Sequence, residues 1–137
     1  MIRRAALRQA AMMAFAAALG ACAAQSVMPG PQEGAALFAQ NCAGCHGADA
    51  RGGNLSGTGR AAPDLTAIAM RNGGVLPRAS VLSTIDGYAK GAHPGRLMPE
   101  FGASLEGEMV PVDIDGTLTP TPRPLAALLA YLESIHL

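Results

Sequence analysis

Cys42-Ala43-Gly44-Cys45-His46 is the stretch on which the reading of this 137-residue chain turns. Two thiols three residues apart, with a histidine directly after the second, form a C-x-x-C-H pattern. The spacing has a compact physical reason. Two such thiols can add to the two vinyl groups on one edge of a porphyrin, and the histidine is then carried under the ring, where its imidazole can bind iron. Other uses of the same residues are weaker. Zinc wants four ligands, and the remaining histidines, His93 and His136, are distant in sequence. A thioredoxin-like pair needs a βαβ context, which the flanking residues lack. A plain disulfide would leave His46 without a role. The motif therefore predicts one covalent c-type haem (heme c) with its iron, held by Cys42 and Cys45 and ligated by His46.

Around the motif the chain reads as short helices joined by glycine-rich loops. A helix is expected from Gln32 to about Asn41, with Glu33 in its first turn and Ala35, Leu37 and Phe38 near one face. Ala43 to Pro63 is rich in Gly, Ala and Ser and reads as loop. A short helix follows Asp64 through Leu65, Ile68 and Met70, ending at Asn72-Gly73-Gly74. Pro77 opens a third helix, with Val81, Leu82 and Ile85 inward and a stop near Gly87. Residues 109–119 alternate, with Asp115-Gly116 at a turn, which predicts a small β-hairpin. Pro124 opens a last helix from Leu125 to about Ile135, apolar along Leu125, Leu128, Leu129 and Leu132.

The first 21 residues read as an address. Arg3, Arg4 and Arg8 precede an alanine-rich apolar stretch too short to span a bilayer stably, which fits a signal peptide. Leu19-Gly20-Ala21-Cys22 looks like a bacterial lipoprotein signal, with Cys22 lipidated and becoming the new N-terminus. The expected organisation is a signal peptide at 1–21, a lipidated cysteine and tether at 22–31, and a folded domain at 32–137. Without the signal, 116 residues remain, with 7 basic and 10 acidic side chains, which argues against a nucleic-acid binder. Only four aromatic residues remain in that part (Phe38, Tyr88, Phe101, Tyr131), so its core needs something besides side chains to fill it.

From Gln32 onward the chain resembles a class I (monohaem) cytochrome c domain. The haem motif follows a helix containing Gly34 and Phe38, and Ala62-Pro63-Asp64-Leu65 lies where such proteins place a proline under the haem edge. Leu97-Met98-Pro99 matches the usual setting of the second axial ligand, and the last helix, with Leu128, Tyr131 and Leu132, matches the terminal helix that crosses the first. The resemblance implies a small all-α fold around one haem, and outer-sphere electron transfer. Residues 106–122 depart from the minimal pattern and read as a surface insertion, a candidate interface.

Met98 is the best-placed sixth ligand, in an irregular stretch with Gly95, Pro99 and Gly102; His93, five residues earlier, is its rival. Pro63 can offer its carbonyl to the second ring nitrogen of His46. Leu65, Val81, Leu82, Ile85 and Phe101 are expected on the haem wall, and Tyr88, Arg60 and Arg96 near the propionates. The leading expectation is a periplasmic one-electron carrier, tethered to a membrane by lipid and exchanging electrons with proteins of a respiratory or dehydrogenase chain. The alternative is a haem c subunit of a membrane-associated dehydrogenase or oxidase complex. A five-coordinate sensor or peroxidase is disfavoured by Met98-Pro99.

Overall fold

The computed structural model of the chain describes residues 28–88 and 97–136, so the expected signal peptide, Cys22, His93 and Arg96 lie outside the described residues. Helix α1 (Pro31–Asn41) starts with a proline in its first turn, where a missing N–H costs nothing, and with Glu33 near the positive end of the helix dipole. Helix α2 (Ala43–His46) follows after one residue. Strands β1 (Gly53–Leu55) and β2 (Arg60–Ala62) come next, then α3 (Ile68–Arg71) and α4 (Arg78–Asp86). A 3-10 turn at Gly102–Ser104 leads to β3 (Met109–Ile114), β4 (Thr117–Pro122) and α5 (Arg123–Ile135).

The frame is the crossing of α1 and α5. Helix α5 buries Leu125, Ala126, Ala127, Leu128, Leu129 and Leu132, so its first half is enclosed all round. Gly34 of α1 meets it where there is no room for a side chain: a Cβ there would overlap the Ala127 carbonyl and crowd Tyr131 Cβ. Next to that contact the Phe38 and Tyr131 rings lie 5.0 Å apart, tilted by 46°. The Arg123 guanidinium closes the helix starts with two bonds to the Glu33 carboxylate, at 3.0 and 2.9 Å. Helix α4 ends at Gly87, whose φ of +99° supplies the left-handed cap that side-chain-bearing residues avoid.

The expected all-α fold is corrected to a mixed one, because two antiparallel hairpins accompany the helices. The first pairs Gly53 with Ala62 and Leu55 with Arg60, inside the stretch read as loop. Strands of three residues carry no usable alternation, and backbone pairing rather than side-chain pattern makes this hairpin. The second pairs Met109 with Pro122 and Ile114 with Thr117, in the expected insertion. Its turn has positive φ at both central residues, Asp115 (52°) and Gly116 (84°), the type I′ geometry that matches strand twist. The inward residues Val110, Val112 and Thr121 are buried. Arg78 ties this hairpin to both neighbouring helices, donating to the Asp113 carbonyl at 2.8 Å and pairing with Glu133 at 2.6 Å. Among the described residues no helix is long and apolar enough to cross a membrane.

Candidate haem-binding site

The end of α1 and the single turn of α2 present the motif. Cys42 caps α1, its N–H bonded to the Phe38 carbonyl at 2.8 Å, and the His46 N–H returns to the Cys42 carbonyl at 2.9 Å. Cys42 is half-buried and Cys45 exposed, and no disulfide joins them. Burial pushes the Cys42 thiol up, and the neighbouring Cys45 adds to the effect. Both cysteines and His46 border one cavity of about 460 Å³.

His46 is buried, and its Nδ1 lies 3.2 Å from the Pro63 carbonyl oxygen. A carbonyl can only accept, so Nδ1 donates and the lone pair resides on Nε2. The segment around that carbonyl is held from several sides. Asp64 Oδ1 accepts from the Thr66 N–H at 2.9 Å and from the Thr66 hydroxyl at 2.6 Å. These bonds, the hydroxyl first, hold the Asp64 carboxyl below its ordinary range. Arg71 Nη2 donates to the Asp64 carbonyl at 2.7 Å, and the Leu65 N–H to the Ala50 carbonyl at 2.8 Å. Gly52 passes so close beneath Ala62 and Pro63 that a side chain there would collide with their backbone.

The Met98 loop borders the same cavity through Leu97, Met98 and Pro99. Its far end is pinned to α4: the Phe101 N–H donates to the Ile85 carbonyl at 3.0 Å, and Gly102 lies against Asp86. Met28, Met70 and Met109 are exposed, and none of them reaches the cavity. His136 does not line it either.

Of the expected wall residues, Leu65, Val81, Ile85 and Phe101 line the cavity. Leu82 does not: it is buried in the core instead. Among the expected propionate contacts, Arg60 lines the cavity, whereas Tyr88 is 88% exposed and stands outside it. Sequence reasoning missed Arg71, Asn72, Leu128 and Leu132 as lining residues. Arg71 and Asn72 lie three and four positions after Ile68, the helical spacing that puts them beside an apolar wall residue.

These residues fit a haem. The walls are predominantly aliphatic, a few polar groups (Asn41, Arg60, Arg71, Asn72) gather there, and two thiols and an oriented imidazole stand together at one wall. The volume also lies within the range of cofactor pockets. The family described as cytochrome C oxidase, cbb3-type, subunit III matches residues 29–110, more than half of the chain. Comparison with curated proteins and with solved structures returned no match. The matched span contains the C-x-x-C-H motif, Pro63 and Met98, and stops at the second residue of β3. The chain therefore belongs to the cbb3-type cytochrome c oxidase subunit III family, as a monohaem cytochrome c domain with covalently bound haem c and its iron.

Proposed function

We propose that the chain is a periplasmic one-electron carrier in which Cys42 and Cys45 would hold the haem and His46 and Met98 would ligate its iron. In this reading residues 1–21 are a signal peptide, and lipid on Cys22 holds the domain, 32–137, at a membrane. The observation that carries it is the cavity: of the described methionines, Met98 is the one that borders the space shared with Cys42, Cys45 and His46. Haem supplies exchange of one electron at its iron. The chain's residues do the rest. Pro63 orients the imidazole, and the pinned loop beyond Met98 sets where the thioether can lie. Leu65, Val81, Ile85 and Leu128 keep water from the faces, which favours the less charged ferrous state.

A second reading, a haem c subunit of an oxidase complex, is favoured by the description of the matched family. In that case the chain passes its electron to a catalytic subunit and performs no other chemistry. Both readings need a six-coordinate iron. Met98→Ala should abolish the weak sulfur-to-iron band of the ferric protein, lower the midpoint potential and let carbon monoxide bind the ferrous form quickly. Rapid carbon monoxide binding by the wild type would overturn the carrier, and an unchanged Met98→Ala spectrum would overturn the ligand. Fatty-acid labelling in the same cells should tag the wild type and not Cys22→Ser.

A further inference from the structure

We infer that the outer face of the β3–β4 hairpin is a docking surface for a partner protein with an apolar contact region rimmed by lysine and arginine. The inner face is used up by Val110, Val112 and Thr121, which are buried. The opposite face carries Met109, Pro111, Leu118 and Pro120, all exposed, with Met109 at 61% and Leu118 at 68%. Four contiguous apolar side chains on one face of a hairpin form the kind of patch that marks an interaction site. Around them stand Glu106, Glu108, Asp113 and Asp115, all exposed, and no Lys or Arg occurs from 106 to 122. Among the described residues, the cations beside the hairpin, Arg78 and Arg123, are each paired with a carboxylate, Glu133 and Glu33. An apolar centre with an acidic rim complements a basic-rimmed partner.

The same features exclude other occupants. Anionic lipid and nucleic acid would be repelled. A second copy would set four carboxylates against four. Strand addition is blocked as well. With Ile114 and Thr117 closing a two-residue type I′ turn, the pairs Pro111–Pro120 and Met109–Pro122 fall where no ladder bonds are exchanged. Backbone N–H groups at those sites would point outward to a new strand, and proline at 111, 120 and 122 has none. The face is thus built for side-chain docking. No residue of 102–124 lines the haem cavity, so a partner seated here need not enter it.

The test uses the full holoprotein from gently solubilised native cells, run on native gels stained for haem. At low salt the stain should migrate in a complex larger than the chain, and high salt should release it. A zero-length carbodiimide should join Glu106, Glu108, Asp113 or Asp115 to lysines of the partner, mapped by mass spectrometry. Met109→Lys with Leu118→Lys should raise the unbound fraction roughly tenfold or more, with spectrum and midpoint potential unchanged. Glu106→Lys with Glu108→Lys, which leaves the apolar face intact, should do the same. A wild type that runs only as monomer, cross-links only to a second copy or only from the cavity mouth, or full retention of both variants would overturn the inference. A pyridine haemochrome assay on the same samples reports the haem separately, so failure of the carrier reading is told apart from failure of the docking surface.

Discussion

A single carbonyl, that of Pro63, decides which nitrogen of His46 carries the lone pair, and its neighbours decide where that carbonyl sits. Asp64 is the key to this local arrangement, because its carboxylate closes the turn through Thr66. Its pKa is lowered in the folded chain, so its contribution to stability is present above the ordinary value of about 3.9 and is lost as pH falls through the lowered one. Thr66→Val keeps shape but removes the hydroxyl that lowers the pKa most. Carboxyl-carbon NMR titration of the holoprotein should then show Asp64 moving up toward about 3.9, and a value that stays put would mean the Thr66 hydroxyl is not its cause. That Cys42, Cys45 and His46 stand together at one cavity was legible, because it depends on spacing within one turn. Arg71 was not, because its place depends on how α3 is set against the loop it bonds.

At the level of elements, the α1–α5 crossing and the two hairpins divide the labour. Gly34→Ala should destabilise by about 1–3 kcal/mol, the usual cost of overpacking, since the new methyl meets backbone that cannot swing aside. Glu33→Gln, which weakens the adjacent ion pair, should cost about 0.2–1 kcal/mol and less in high salt, because both partners are partly exposed. Urea midpoints of the two holoproteins check the order, and an equal or reversed ranking would show that close approach does not hold the crossing. Helices α1, α4 and α5 could be read from their prolines, glycines and apolar spacing to within a residue or two, whereas α2 lay in the stretch read as loop and α3 starts three residues later than expected. The β3–β4 hairpin was readable from Asp115-Gly116 and the alternation beside it, whereas β1–β2 was hidden in a glycine-rich stretch.

For the whole molecule, the dominant fact is a cavity of about 460 Å³ in a domain of few aromatic residues. Without a group to fill it, its aliphatic walls, Leu65, Val81, Ile85 and Leu128 among them, would lose apolar contact, at a cost to stability. Water entering the cavity lowers that cost but cannot replace the apolar contacts. Cys42→Ala with Cys45→Ala, purified without haem, should therefore lose its cooperative thermal transition and bind a hydrophobic dye. A sharp transition close to that of the holoprotein would show that the side chains alone hold the fold. Local sequence was enough to read the haem c cofactor, the grouping of Cys42, Cys45 and His46 at one cavity, and helices α1, α4 and α5. Each of these rests on residues within a few positions of one another, where covalent geometry and helical periodicity leave little choice. Packing between distant segments settled that Met98 shares the cavity while Met70 and Met109 face solvent, that Leu82 belongs to the core, and that Tyr88 stands apart. It also decided that the fold is mixed rather than all-α, because three-residue strands and fifty-residue returns depend on backbone pairing and close packing between segments, which no local pattern encodes.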